Sequence, residues 1–360
     1  MKTYNFSAGP AVLANDVLKA ASDSALEYAQ SGMSVLEMSH RSKTIVSLFD
    51  EATARTKDLL NIPEGYSVLW LQGGASLQFS MVPMNLLAEG GFADYLVTGS
   101  WSIKAVQECN KIGKANIVAS SEDQNFSYIP KEFSQNIDSK YLHITSNNTI
   151  YGTQFKKFPK VLNTNGYLVA DMSSDIFSRP INISEFGLIY AGAQKNLGPA
   201  GVTMVIIKDD ILDEDSKNLA TMLDYKTHIK KSSMFNTPPV FSVFVVNETL
   251  KWIEKIGGLD KVEQVNKAKA GKIYQEIKRN NIFISPIAKD DRSLMNVPFI
   301  YSDEGLKDSD FLDFCNKRNL YSLKGHRSVG GFRASIYNAM PEEGIDALVN
   351  AMQDFEKNIN

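Results

Sequence analysis

Between Tyr66 and Ile207 short apolar runs alternate with stretches of helical periodicity, and this alternation leaves few folds open to the chain. The runs are Tyr66–Leu71, Tyr95–Val97, Ile117–Ala119, Tyr141–Thr145, Gly166–Asp171, Leu188–Ala191 and Gly201–Ile207. Helices are expected after Gln72–Ser76, to about Ala88, and after Gly99-Ser100-Trp101, to about Lys111. Continuous apolar strands separated by helices are the pattern of a mostly parallel sheet buried on both faces. The expected fold is therefore α/β, a large domain with a seven-stranded-type, mostly parallel sheet between helices, followed by a smaller C-terminal α+β domain. Two helices precede the sheet, one capped by Asn15 and running to about Gln30, the other over about Ser42–Leu60. After Ile207 the pattern changes: residues 209–239 are polar and loop-rich, and a long helical region runs from Val240 through Gly257-Gly258 to about Asn281. Strands near Leu294–Tyr301 and Phe332–Tyr337 and helices near Asp308–Asn319 and 341–357 complete the chain. The boundary is placed inside the long helix, giving domains 15–255 and 256–360, with residues 1–14 packing near the active site or the small domain.

In an open α/β sheet, ligands bind beyond the carboxyl ends of the strands. Two charged residues end strands here. Lys195 follows Leu188–Ala191, hemmed in by small residues and by the turn Gly198-Pro199-Ala200-Gly201. Desolvation there would depress its pKa and make the amine nucleophilic; an ordinary surface lysine on a loop is the other reading. Asp171 ends the run from Gly166, and is either a helix N-cap or a partner for a cationic group. Together a lysine and a carboxylate suit pyridoxal phosphate, which needs an amine for its aldehyde and an anion for its ring nitrogen.

Other classes are less favoured. With 38 basic and 41 acidic residues the formal net charge is −3, which gives no electrostatic case for nucleic acid or an anionic membrane. No apolar run approaches the ~18 residues of a membrane span. The first residues, MKTYNFSAGPAVLAND, lack a signal-peptide h-region. Two cysteines, Cys109 and Cys315, lie in expected helices, and with only four histidines no metal site is expected. A cytoplasmic location is the expectation.

Three further stretches sit where a ligand would. Gln72-Gly73-Gly74-Ala75-Ser76 is a glycine-rich corner opening a helix, either a plain turn or a phosphate cradle. Trp101 occupies the next such corner and Thr149 closes another strand. Ser39-His40-Arg41-Ser42 puts two basic side chains at a helix start, where the macrodipole disfavours cations unless they are solvated or meet an anion.

Taken together, Asn5–Pro10, Ser39–Lys43, Gln72–Ser76, Ala193–Asn196, Asn236–Pro239 and Gly330–Asn338 resemble the phosphoserine aminotransferases, of the class-V aminotransferase family, collinearly from about residue 4 to the C-terminus. The resemblance implies a fold-type I, aspartate-aminotransferase-like architecture, working as a homodimer with shared active sites. It implies pyridoxal 5'-phosphate as cofactor, Lys195 as its Schiff-base lysine and Asp171 as partner of the ring nitrogen. Trp101 would stack on the ring, Thr149 would bind near it, and Ala75, Ser76 and Gln194 would hold the phosphate. Asn236 and Thr237 would reach that phosphate from the other subunit, since just before the long helix they are poorly placed for their own chain's strand ends. Arg333 would clamp the substrate α-carboxylate, and His40, Arg41, His326 and Arg327 would form a basic wall for a distal phosphate or carboxylate.

The implied reaction interconverts 3-phosphohydroxypyruvate and glutamate with O-phosphoserine and 2-oxoglutarate, by ping-pong kinetics, in serine biosynthesis. Action on 3-hydroxy-2-oxo-4-phosphonooxybutanoate, in pyridoxine biosynthesis, is implied as well. Some relatives carry an arginine where this chain has Ser76, which shifts the basic wall toward Arg41 and Arg327. The rivals are an alanine–glyoxylate type aminotransferase, which would not need that wall, and a non-catalytic phosphate-binding protein. A desulfurase would need a cysteine on a mobile loop.

Overall fold

The computed structural model describes residues 2–212, 218–303 and 305–359; residues 213–217 of the polar stretch lie outside them. In chain order the elements begin with β1 (Tyr4–Asn5), α1 (Asn15–Leu26) and α2 (Lys43–Leu60). The alternating section contains β2 (Tyr66–Leu71), α3 (Gly74–Leu86), β3 (Phe92–Val97), α4 (Ser100–Cys109), β4 (Lys114–Ser120), β5 (Tyr141–Thr145), β6 (Tyr167–Asp171), β7 (Leu188–Gly192) and β8 (Thr203–Lys208). Then come α5 (Tyr225–Lys230), α6 (Val240–Lys255), α7 (Gly258–Arg279), β9 (Phe283–Ile284), β10 (Asn296–Tyr301), α8 (Asp308–Asn316), β11 (Leu320–Tyr321), β12 (Phe332–Ser335) and α9 (Glu342–Ile359).

Seven strands form the large sheet in the order β2-β8-β7-β6-β5-β3-β4. β8 pairs antiparallel with both its neighbours, and the remaining pairs are parallel. The carboxyl ends of β2, β3, β5, β6 and β7 therefore share one edge. Successive strand residues point to opposite faces, and the two cores follow that rule. Val68, Trp70, Ile144, Ala170 and Ile189 pack with α2 and α6, while Leu69, Leu71, Val169, Tyr190 and Val205 pack with α3 and α4. A sheet covered on both faces explains why its strands read as continuous apolar runs.

A third core gathers Phe283, Phe299, Phe311, Phe332 and Phe355 between the antiparallel sheet β12-β10-β9 and helices α7, α8 and α9. Phe6 joins it, because β1 pairs in parallel with β11 at the far end of the sequence.

Several boundaries differ from the sequence reading. α1 stops at Leu26, since Ala29 and Gln30 take positive φ. Asn15 is its first helical residue rather than its cap; Ala14 holds the cap position without a side-chain bond. Ser42 lies just outside α2 and caps it, accepting from the Ile45 amide at 3.3 Å. The long helical region is two helices, parted at Ile256-Gly257. The two-residue strands β1, β9 and β11 are too short to carry a periodicity. Cys109 and Cys315 lie in α4 and α8, buried and unpaired.

Candidate active site

The shared strand edge brings Lys195, Asp171, Thr149 and Trp101 to one place. Lys195 follows β7, and its Nζ donates to Thr149 Oγ1 at 2.7 Å and stands 5.4 Å from the centre of the Trp101 ring. The residue is only partly buried. Desolvation lowers its pKa to about 8; Asp171 pulls it up again, and Arg333 pushes it further down. An amine titrating there is a far better nucleophile at neutral pH than an ordinary lysine.

Asp171, at the end of β6, is 5 % exposed. It is no helix cap: the Ser173 amide and hydroxyl both donate to its Oδ1, at 2.9 and 2.6 Å. Burial raises its pKa, opposed by the Lys195 charge and by these bonds. With both bonds on Oδ1, Oδ2 is left for a cationic donor.

Arg333, on β12, reaches across from the small sheet, its Nη1 donating to the Thr149 carbonyl at 3.1 Å. The carbonyl and hydroxyl of one residue thus contact both Arg333 and Lys195. Arg333 Nε and Trp101 Nε1 are buried without a partner among the described residues. Two unmet donors beside Lys195 and Thr149 suit a place where a ligand binds. His326, whose Nδ1 meets Ser328 Oγ at 2.7 Å, has its pKa lowered first by burial and then by Arg333, Arg327 and Lys104. These four side chains form one electropositive patch, to which Lys104 is an addition. Its ammonium lies 4.6 Å from the Trp101 ring centre, one helical turn after Trp101. That spacing was the signal for it in the sequence.

The glycine corner is built for an anion. Gly73, at φ +90°, cannot carry a Cβ, which would fall 2.5 Å from Leu77 Cδ2. As N-cap of α3 it offers the first amides no side-chain acceptor, so those at Gly74, Ala75 and Ser76 keep their capacity for a phosphate. α3 is fixed over the sheet by Phe79, edge-on to Tyr190 of β7 at 6.1 Å. Gln194 lies under the N-terminal segment: its carbonyl accepts from the Ala11 amide at 2.9 Å. A Cβ on Gly9 would approach Lys195 Cγ to 3.2 Å.

Other expected residues are not joined to this group. No hydrogen bond, ion pair or ring contact among the described residues links His40 or Arg41 to Lys195, His326 or Arg333. His40 is buried with Nε2 unpartnered, and Arg41 is exposed. Asn236 and Thr237 are exposed. Contrary to expectation, the backbone here does reach a strand end of its own chain, Gln72 Nε2 donating to the Thr237 carbonyl at 3.1 Å. Positive φ at Ser232 and Ser233 turns the segment back, and Ser233 Oγ accepts from the Trp70 amide at 2.9 Å.

This donor set fits pyridoxal phosphate: a depressed-pKa lysine, a buried carboxylate with an open oxygen, an indole beside the lysine and free helix amides for the phosphate. No group of three or more metal-ligating side chains converges among the described residues, and no helix among them is long and apolar enough to cross a membrane.

The comparisons with known proteins agree with this donor set. The family profile described as aminotransferase class-V matches residues 3–348. The phosphoserine aminotransferase of Azobacteroides pseudotrichonymphae genomovar. CFP2 is 52% identical over 358 residues, covering 99% of this chain and 98% of that protein. The solved phosphoserine aminotransferase of Bacillus circulans subsp. alkalophilus superposes with a TM-score of 0.96 at 48% identity, over 100% of this chain and 99% of that one. A phosphoserine aminotransferase from Trichomonas vaginalis, solved with pyridoxal phosphate bound, gives 0.92 at 42% identity, over 98% and 100%. With a profile match over nearly its whole length and relatives of this identity, the chain belongs to the class-V aminotransferase family.

Proposed function

We infer that this chain is a pyridoxal-phosphate-dependent aminotransferase that interconverts 3-phosphohydroxypyruvate and glutamate with O-phosphoserine and 2-oxoglutarate, and so serves serine biosynthesis. The observation that carries the reading is Lys195 Nζ, its pKa near 8, held by Thr149 beside Trp101 and biased by Asp171. Bound pyridoxal phosphate supplies an aldehyde to accept the amino group and a ring that draws electrons from the substrate's Cα–H bond.

Lys195 would hold the cofactor, Asp171 Oδ2 its ring nitrogen, Trp101 its ring face, and the amides of Ala75 and Ser76 with Gln194 its phosphate. Once free, Lys195 Nζ takes the proton from the substrate α-carbon and returns it at the other end of the transfer, a general base whose pKa lies close to working pH. Asp171 stays ionised opposite a cation and keeps that nitrogen protonated. Arg333 is turned toward Thr149, where its fork meets an α-carboxylate, common to both substrates. His326 and Arg327 face the distal anion. The same wall accommodates 3-hydroxy-2-oxo-4-phosphonooxybutanoate, which carries a phosphate one carbon further out.

Purified protein should show a visible absorbance band that borohydride abolishes, and should transfer the amino group of phosphoserine to 2-oxoglutarate faster than that of alanine to glyoxylate. A colourless protein unable to do either overturns the reading.

The proposal includes a homodimer with shared sites. Exposed Asn236 and Thr237, and a basic pair at His40 and Arg41 that meets nothing of its own chain's Lys195 pocket, support it: these would be what one copy offers the other. Lys195→Ala in one chain and Asn236→Ala with Thr237→Val in the other should each give nearly inactive homodimers. Mixed dimers should recover up to about half the activity, because one site then has every part intact; heterodimers as inactive as their parents would place all these residues in one chain.

Two organisational points belong to the same proposal. A division into 15–255 and 256–360 is supported by the separate phenylalanine core, and packing of residues 1–14 near the site by Gly9 against Lys195. A cytoplasmic location is supported by two buried, unpaired cysteines.

A further inference from the structure

Lys269 lies within α7 and has no exposed surface. No carboxylate among the described residues is within ion-pair distance of it. Its Nζ instead donates to four backbone carbonyls, those of Ile336 at 3.1 Å, Tyr337 at 2.8 Å, Asn338 at 3.3 Å and Met340 at 3.2 Å. An ammonium has three protons, so four oxygens share them and replace its water completely. Burial still pushes its pKa down to about 7, with Glu342 pulling the other way. A buried lysine is a costly way to tie down a turn, and the cost draws attention to which turn is tied.

That turn follows β12, which carries Arg333, and it touches Lys195's surroundings twice. The Asn338 amide donates to Asn196 Oδ1 at 2.9 Å, immediately after Lys195. Asn196 Nδ2 in turn donates to the Ile176 carbonyl at 2.5 Å. The Asn338 side chain is locked from both sides, its Nδ2 to the Phe177 carbonyl at 2.8 Å and its Oδ1 to Asn266 Nδ2 at 2.8 Å. One residue earlier, the Tyr337 hydroxyl donates to the Ala8 carbonyl at 2.8 Å, next to the Gly9 that packs on Lys195.

We propose that Lys269 is a positioning residue for Lys195: by gathering the carbonyls of the 336–340 turn it sets Asn338 against Asn196 and Tyr337 against Ala8, and so fixes the lysine's backbone and its cover. The catalytic consequence rests on the aminotransferase reading; the positional one does not.

Hydrogen exchange of the cofactor-free protein tests the positional part. In Lys269→Met, amides of 336–340 and 196–198 should exchange at least about tenfold faster while α2 keeps its protection, as a local opening requires. Lys272→Met, which removes an exposed side chain of the same helix paired with Asp346 and Glu342, should change neither region. Turnover by the holoenzyme tests the rest. Lys269→Met should lower kcat by about tenfold or more with a smaller change in KM, and combined with Asn196→Ala it should cost clearly less than the product of the two single losses, because both break the Asn338–Asn196 connection. Lys269→Gln, which keeps two donors, should recover part of the loss. It replaces Lys269→Met under the same criteria if that variant does not fold. Uniformly faster exchange, or multiplicative losses in the double variant, would overturn the proposal. A wild-type protein without transaminase activity would count against the function reading and leave exchange to decide the positional claim.

Discussion

Lys195 and Lys269 are both drawn into the protein, and the two regions around them treat a lysine in opposite ways. Around Lys269 every face of the ammonium meets a backbone carbonyl and nothing is open. Around Lys195 there is one hydroxyl, an indole and a carboxylate, and the residue is only partly buried. Desolvation depresses the pKa of both. Only the lysine left short of acceptors is available to an electrophile or a proton acceptor, so coordination rather than burial separates the two.

The largest effect should come from emptying the under-coordinated region. Lys195→Ala should fold and lose the borohydride-sensitive band and at least ~10⁴ in turnover, with Asp171→Ala following at ~10²–10⁴, typical of a lost acid–base group. Near-normal rates in either, measured without added amines, would erase the distinction between the two lysines.

An intermediate effect should divide the anion contacts. Arg333→Ala should reduce kcat/KM for phosphoserine and glutamate alike, by ~10–100-fold for a lost charge-assisted bidentate contact. Arg41→Ala should hurt both, yet spare alanine, which has no distal anion. An equal loss with alanine would make Arg41 structural.

The last effect is thermodynamic and concerns the open lysine alone. In the folded, cofactor-free protein burial lowers the Lys195 pKa to about 8, against 10.5 for an exposed lysine. Below pH 8 both states hold the proton and the cost of burying the charge is fully present. Between 8 and 10.5 the unfolded chain binds the extra proton, so stability rises with pH by up to about 1.4 kcal/mol per unit. Denaturant titrations of wild type and Lys195→Met should show their difference closing across that window. A constant gap would mean that Lys195 keeps an ordinary pKa.

The open region was legible in the sequence and the closed one was not, for a physical reason. Lys195 and Asp171 each end an apolar run, and strand ends in such sheets face ligands, so two short windows sufficed. Gly73 and Gly74 announced a tight corner, where both take positive φ and Gly73 has no room for a Cβ. Lys269 sits in a helix otherwise rich in charged residues, and its acceptors lie 67 to 71 positions away, so no local pattern marks it as buried. Tyr337 with Ala8, 329 positions apart, is hidden in the same way. The Thr237 backbone was misjudged because its return depends on two serines with positive φ, a conformation serine rarely advertises.

β8, the one reversed strand in the large sheet, has a consequence for the order of assembly. The chain leaves β7 at Gly192 and re-enters at Thr203, and those two residues are paired across the ladder. The Lys195 turn is therefore closed by a short local search, at a small loop-entropy cost. Its tether to the other half, Asn196 with Asn338, spans 142 positions. During refolding the amides flanking Lys195 should gain protection well before Arg333 arrives, so Lys195 is housed early and Arg333 is installed late.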